Sequence, residues 1–467
     1  MTRLTFLGAA RSVTGSRFQL STDSSNLLVD CGLNQERDMQ ERNWEPFPMP
    51  PDRIDEVLLT HAHLDHCGLL PRLLHEGFRG RIYATGPTAE IARIVMLDSA
   101  RLQREDVEQK RRRHEREKRK SPRPLLPLYD EKDAENAASL FQAVRYGEIV
   151  SLKGGVEAEF FEAGHILGSA SIRVRVRENG SSRTILFSGD IGRWGRPIIN
   201  DPHPCSQADY VLMESTYGDR LHGDDARIGT TLQKIVADTV LRGGNIVIPS
   251  FAIERSQEVL YYLNALLRDN LIPHLLVFLD SPMATRVNDV FAHWPDYFDP
   301  EMRRLISENR SPFDLPGLVL ARSREDSKAI NRITGSAIII AGAGMCTGGR
   351  IKHHLVRNIS RRESTILFVG YQAEGTLGRL IVEGAPRVRI LGETLPVKAR
   401  VERIEGFSAH ADRDELLRWA SAIRQTPKQV FVIHGEAPVA ARFSDTLNKK
   451  LGWNAQVPTT GQTVELN

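Results

Sequence analysis

Three imidazoles and a carboxylate fall within six residues in His61-Ala62-His63-Leu64-Asp65-His66. Neutral imidazole and carboxylate are the donor types that suit zinc and related cations. The cluster follows Thr60 and the apolar run 56–59, the pattern of a buried strand delivering polar residues at its end. On an extended turn His61 and His63 can point one way and Asp65 and His66 another, so one segment could serve two metals. A lone histidine is usually a satisfied core residue. Four such donors after an apolar strand are hard to explain by packing, and a metal site is expected in that strand-to-loop context.

One segment cannot close a two-metal site. His165 follows a strand-like run and lies between glycines, Asp190 stands in Ser188-Gly189-Asp190-Ile191-Gly192, and His434 ends the apolar run 429–433. Each is a polar residue at the C-terminal end of an apolar run. Taken singly, each is more commonly a satisfied buried histidine or a helix-capping aspartate; together with the hexapeptide they form a consistent set.

The elements that must position these residues come in two styles. Residues 1–210 read as short strands joined by glycine-rich turns, at 3–7, 18–20, 26–29, 149–152, 157–162, 170–177 and 184–188, with helices at 69–75, 88–104 and 133–144. From residue 210 helix and strand alternate: helices at 232–241 and 256–267, strands at 245–249, 275–279, 336–341 and 365–369. That rhythm builds βαβ units and a parallel sheet. Short strands return near 396–403, followed by a helix at 413–424, a strand at 429–433 and a terminal helix at 440–450.

A chain of 467 residues is too long for one ordinary core, and 41% hydrophobic with 26% charged residues is a globular profile that excludes disorder as the main state. The net charge is only +3, but residues 101–123 carry eleven Lys/Arg against five Asp/Glu. That stretch, helical by propensity to residue 120 and broken at Ser121-Pro122-Arg123-Pro124, reads equally as a solvated helix or a surface for a polyanion. Cys31, Cys67, Cys205 and Cys346 form no C-x-x-C pair, so neither a zinc ribbon nor a disulfide framework is indicated, and a reducing compartment fits. No apolar run suits a signal peptide or a membrane span, and a cytoplasmic protein without membrane partners is expected.

The order His-x-His-x-Asp-His, Gly-His165, Gly-Asp190 and late His434-Gly resembles the metallo-β-lactamase superfamily. Glu214 in Leu-Met-Glu-Ser-Thr-Tyr-Gly, His410 in Gly-Phe-Ser-Ala-His-Ala-Asp and His434 make the chain similar to its β-CASP branch of nucleic-acid nucleases. The likeness extends to Gly8-Ala-Ala-Arg-Ser-Val-Thr-Gly15, Val29-Asp30-Cys-Gly and Gly344-Met-Cys-Thr-Gly-Gly-Arg350 and covers nearly the whole chain. It is greatest to RNA-processing members related to the pre-mRNA 3′-end cleavage endonuclease, and a histidine at 434, where DNA-repair members carry an aliphatic residue, favours RNA.

The resemblance implies an α/β fold: an αββα metallo-β-lactamase sandwich from residues 1–208 and 396–467, and an inserted α/β β-CASP cap on a parallel sheet from residues 209–395. It implies two Zn2+ per chain, with Mn2+ as the alternative. His61, His63 and His165 would hold the first, Asp65, His66 and His434 the second, and Asp190 would bridge. Asp65, Glu214 and His410 are the implied catalytic residues, His410 as general acid and Glu214 as its orienting carboxylate. Asp30 and Asp412 each read equally as a partner of a nearby histidine or as a plain turn residue.

RNA contacts are expected from three glycine-rich or strand-end segments. Gly348, Gly349 and Arg350 precede a helix, where backbone amides and the helix dipole favour phosphate. Ser250 and Arg255 follow a strand, and Tyr371 could stack on a base or be core. The expected activity is hydrolysis of single-stranded RNA, endonucleolytic, 5′-exonucleolytic or both. The alternatives are a metallo-hydrolase of a small ester, thioester or lactam, and a non-catalytic RNA-binding subunit. The 101–120 helix is open to two roles, an extension of the basic surface or a homodimer contact.

Overall fold

The structure, a computed structural model, describes residues 1–36, 38–117, 125–178, 180–223 and 227–467. It divides into two compact units. One comprises Met1–Gly195, Asp201–Leu221 and His410–Asn467, the other Arg196–Asn200 and His222–Ala409.

The first unit holds two seven-stranded sheets. In one, β1 (Thr2–Phe6), β2 (Phe18–Ser21), β3 (Asn26–Val29), β4 (Glu56–Leu58), β5 (Arg81–Thr85) and β6 (Phe141–Val144) follow one another, with β22 (Thr463–Leu466) on the far side of β1. In the other, β7 (Ile149–Ser151), β8 (Glu157–Glu162), β9 (Ala170–Glu178), β10 (Ser181–Phe187), β11 (Tyr210–Glu214), β20 (Gln429–Ile433) and β21 (Ala455–Gln456) lie side by side. Alternate residues of both sheets bury one core: Leu4, Phe6, Phe18 and Leu20 from the first, Phe160, Ile172, Phe187, Leu212 and Phe431 from the second. The opposite face of the second sheet packs Val211, Met213, Val430 and Val432 against Trp419 and Phe443 of the helices Arg413–Ser421 and Ala437–Leu451.

The second unit is built on β12 (Ile246–Pro249), β13 (Leu276–Asp280), β14 (Leu318–Leu320), β15 (Ala337–Ala341), β16 (Thr365–Phe368) and β19 (Arg400–Arg403), in the spatial order β14-β13-β15-β12-β16-β19. Every pairing in it is parallel. β17 (Arg387–Ile390) and β18 (Glu393–Pro396) form a separate hairpin. Burial follows from the layering: Ile246–Pro249, Ala337–Ala341 and Thr365–Phe368 are covered along their whole length.

Several elements differ from the sequence reading. The expected helix 133–144 is a helix at Glu131–Ala138 and then strand β6. Asp130 caps that short helix through a capping box, and Phe141–Val144 pairs with β5, an interaction that local periodicity does not record. The basic stretch continues the helix Gly86–Glu117 as far as that residue, while residues 118–124, over which the sequence suggests further helix and a breaker, lie outside the described residues. β11 pairs in parallel with β10 and β20, so the first unit runs past residue 208 to Leu221. β19 pairs with β16, so the second unit runs past residue 395 to Ala409.

Candidate metal centre

Four strand ends supply most of the centre. Strand β4 stops at Leu58, and Leu59-Thr60 lead into His61; His63 is the residue before the single-turn helix Leu64–Cys67, which carries Asp65 and His66. His165 stands in the turn between β8 and β9. Asp190 follows β10 after Gly189, whose φ of +58° puts the chain in left-handed backbone. A Cβ at Gly189 would also lie 2.7 Å from the Ala170 carbonyl oxygen. His434 follows β20 with φ +48°, uncommon for a non-glycine residue.

These side chains converge in two groups. His61 Nε2 and His165 Nε2 each lie 3.1 Å from His63 Nδ1. Asp190 Oδ2 is 3.4 Å from His61 Nε2 and 3.6 Å from His165 Nε2. In the second group His66 Nε2 lies 3.3 Å from His434 Nε2, and Asp65 Oδ2 is 3.4 Å from His434 Nε2 and 4.0 Å from His66 Nε2. Asp190 Oδ1 faces this group, 3.3 Å from His66 Nε2 and 3.6 Å from His434 Nε2. The two oxygens of one carboxylate therefore address different groups.

This donor set fits metal cations. Four donors about 2.1 Å from a tetrahedral zinc ion stand roughly 3.4 Å apart, the spacing seen in both groups. Asp190 Oδ1 is buried and accepts no hydrogen bond despite its two imidazole neighbours, and a residue 2% exposed would not leave that oxygen bare without a cation to face. Burial drives the His61 imidazole down to about 3 and His63 down to about 4, with His165 also well below its ordinary value, so all three present bare lone pairs. At His66 and His434 burial acts the same way, but the surrounding carboxylates, Asp190 foremost, outweigh it; His434 is raised to about 9.

Hydroxyls and carboxylates outside the cluster fix the rings. Asp30 Oδ2 accepts from His66 Nδ1 at 2.7 Å, leaving Nε2 for the centre. Thr60 Oγ1 donates to Asp30 and accepts from His61 Nδ1 at 3.1 Å, so one carboxylate–hydroxyl pair orients a donor of each group. Thr216 Oγ1 lies 3.1 Å from His434 Nδ1. Sequence reading left Asp30 undecided and missed Thr60 and Thr216; the signal available was a hydroxyl residue within two positions of a candidate ligand or carboxylate, Thr60 before His61 and Thr216 after Glu214. Asp412 caps the helix Arg413–Ser421, accepting from the backbone of Asp414 and Glu415.

Glu214 and His410 lie beside the centre. Glu214 is fully buried; its Oε1 accepts from the Ile191 backbone N–H at 2.7 Å and its Oε2 from that of Thr216 at 3.1 Å. His410 Nδ1 lies 3.3 Å from Glu214 Oε1 and 3.9 Å from Asp190 Oδ2. Asp190, Glu214 and His410 are close enough to form a third group of donors. With both Glu214 oxygens taken by backbone N–H groups, that trio is better suited to hold an imidazole than an ion. Burial lowers the His410 pKa, and the Glu214 carboxylate together with Asp190 outweighs it, leaving a net rise. The His410 side chain is 22% exposed, against 4% or less for His61, His66, His165 and His434.

The expected RNA contacts all fall in the second unit. Ser250 is buried, its hydroxyl donating to the Phe251 carbonyl. Arg255 is buried, paired with Glu258 at 2.6 Å and lying over the Phe407 ring. Arg350 Nη1 donates to Asp280 Oδ1 at 2.7 Å and to the Ala321 carbonyl. Gly348 and Gly349 lie just ahead of the helix Ile351–Asn358. Tyr371 is 44% exposed. Of the six, Tyr371 thus presents a large side chain to solvent, whereas Ser250, Arg255 and Arg350 are engaged within their own unit. All four cysteines are buried and unpaired. Among the described residues no helix is long and apolar enough to cross a membrane.

Two seven-stranded sheets carrying a histidine–aspartate cluster at their strand ends define a metallo-hydrolase of the metallo-β-lactamase fold. Family models agree in three stretches: a metallo-β-lactamase superfamily domain over residues 19–189, a Beta-Casp domain over 256–381, and a Zn-dependent metallo-hydrolase RNA specificity domain over 394–458. The chain is 38% identical to "Ribonuclease TTHA0252" of Thermus thermophilus over 93% of both chains. It is 31% identical to "Transcription termination factor FttA" of Methanosarcina mazei over 99% of this chain and 71% of that one, and 29% identical to an "RNase J-like protein" of Methanocaldococcus jannaschii over 99% of each. A solved structure of a protein of unknown function from Enterococcus faecalis shares the fold, with TM-score 0.56, 12% identity and full coverage of both chains. The chain belongs to the β-CASP family of metallo-β-lactamase-fold nucleases.

Proposed function

We propose that this chain is a zinc-dependent ribonuclease that hydrolyses phosphodiester bonds of single-stranded RNA. His61, His63 and His165 would hold one ion and Asp65, His66 and His434 the other, with Asp190 shared between them. When bound, the ions supply Lewis acidity that acidifies water toward neutral pH and polarises the phosphoryl oxygens. Manganese is the alternative occupant for the same donors.

The remaining work falls to side chains. Glu214, fixed by two backbone N–H groups, holds the His410 Nδ1–H and leaves Nε2 to carry a proton. The raised His410 pKa favours the protonated ring near neutrality, as a general acid protonating the leaving oxygen requires. Asp30, Thr60 and Thr216 hold three imidazoles in the tautomer with Nε2 facing the centre.

The observation that carries this reading is the division of the Asp190 oxygens between the two donor groups. Its test is Asp190→Ala. Cleavage of labelled single-stranded RNA is expected to disappear while RNA binding persists; cleavage at the wild-type rate would refute the assignment. Ribonuclease names among the relatives and the RNA specificity match support RNA over a small ester or lactam.

A further inference from the structure

We propose that Phe251 is a stacking platform for an unpaired base of the RNA substrate. The proposal rests on the ribonuclease reading and names how the second unit holds that substrate.

The position follows from topology. In the all-parallel sheet the chain leaves β12 toward β13 and β14, whereas it leaves β15 in the opposite direction, toward β16. β12 and β15 are neighbours, and their outgoing chains part to opposite faces of the sheet, the helix Arg255–Arg268 clustering with Ile246 and Ile248 and the helix Ile351–Asn358 with Val247 and Ile339. A divergence of that kind opens a crevice, the usual ligand position in open parallel sheets. Phe251 is the second residue of the loop leaving β12, and residues 342–350 leave β15.

The ring is mounted rather than loose. A Cβ on Gly344 would stand 2.7 Å from Phe251 Cδ2, and one on Gly370 would stand 3.4 Å from its Cε2, so the ring lies against two stretches of bare backbone. The Gln372 carboxamide ties those stretches together, Nε2 lying 3.0 Å from the Gly344 carbonyl oxygen and 3.1 Å from that of Gly370. The hydroxyls of Ser250 and Ser256 both donate to the Phe251 carbonyl, at 3.1 and 2.7 Å. On this mount the residue remains 40% exposed, and Tyr371, the residue after Gly370, is 44% exposed.

Exposure of a single apolar side chain means little by itself. Here an aromatic ring is fixed at the strand ends where open parallel sheets usually take their ligands, with glycine backbone against it that a sugar or phosphate could approach closely. A phenyl ring offers a π-face and no hydrogen bond, which suits the flat face shared by all four bases and gives contact without sequence preference. A base inside a duplex has no free face, so the platform selects single strands.

The test uses the full-length, zinc-loaded chain and a single-stranded 2′-O-methyl RNA of about ten nucleotides carrying 2-aminopurine, a length within the span such sites cover. The wild type and Phe251→Trp are expected to bind it and quench the 2-aminopurine. Phe251→Leu, which keeps an apolar filler over Gly344 and Gly370, and Phe251→Ala are expected to bind roughly 10- to 100-fold more weakly with quenching lost. The salt dependence of binding should stay parallel to wild type, because no charge is removed. Wild-type affinity and quenching in Phe251→Leu and Phe251→Ala, with the wild type still cleaving unmodified RNA, would overturn the platform and leave the ribonuclease reading standing. A wild type that neither binds nor cleaves RNA would remove both. Circular dichroism confirms that each variant is folded.

Discussion

Thr216 Oγ1 donates to the His434 carbonyl oxygen at 3.2 Å and, with its one proton so used, can only accept from His434 Nδ1 at 3.1 Å. The hydroxyl thereby fixes the Nδ1–H tautomer of His434 and aims Nε2 at Asp65 and His66. It does so for a residue whose left-handed backbone already fixes where the ring can go.

Thr216→Val keeps the shape and removes the acceptor. Zinc affinity of the second donor group is expected to fall about 10- to 100-fold, the usual effect of losing a partner of a ligating histidine, with Thr216→Ser close to wild type. Competition with a chromogenic chelator reads this without recourse to turnover. Equal affinity in Thr216→Val and wild type would show that the hydroxyl does not orient the ring.

His410 is assigned proton transfer, not metal binding. His410→Ala is expected to lower turnover on RNA by about 10²- to 10⁴-fold with two zinc ions per chain retained. Glu214→Gln should lower turnover in the same direction with zinc again retained, since the Glu214 oxygens bond to backbone and to His410. Loss of zinc in either variant would move the residue into the ligand set.

In the second unit, fully buried Asp280 accepts from His354 Nε2 at 2.6 Å, the Ser327 hydroxyl at 2.6 Å and Arg350 Nη1 at 2.7 Å. Burial raises its carboxyl pKa, and these three donors outweigh it, leaving the pKa below the ordinary value. A depressed folded pKa contributes stability that is complete above the unfolded value, near 3.9, and is lost as pH falls through the folded value. Asp280→Ala should cost ~3 kcal/mol at neutral pH, as removal of one partner from a buried ion pair does. In urea unfolding the gap between variant and wild type should hold from pH 7 to about 4 and shrink only below that. A gap unchanged at pH 3 would contradict the ionic role.

The convergence of His61, Asp190 and His434 was legible in part because each follows an apolar run. His61, Asp190 and His434 follow β4, β10 and β20, and a polar residue leaving a buried strand stands out in sequence. Thr60 and Thr216 were not legible, because a threonine after a strand looks like any turn residue until its hydroxyl is seen against a ring nitrogen. Phe251 was overlooked for a related reason: its neighbours Ser250 and Arg255 have the polar groups expected of a phosphate site, yet both are buried and committed internally. Arg350 likewise spends its guanidinium on Asp280, 70 positions away in the chain. The ends of the inserted unit were misjudged because the pairing of β19 with β16 and of β11 with β20 is non-local, and short strands carry no mark of the sheet they join.

The central claim is that two ions held on either side of Asp190 serve RNA hydrolysis. Its most direct test is a zinc titration of the chelator-stripped, full-length chain, with cleavage of single-stranded RNA labelled at both ends followed at each step. Cleavage is expected to be absent in the stripped protein and to reach its maximum as the second equivalent per chain is taken up. Cleavage by the stripped chain, or intact RNA after two equivalents are bound, would contradict the claim.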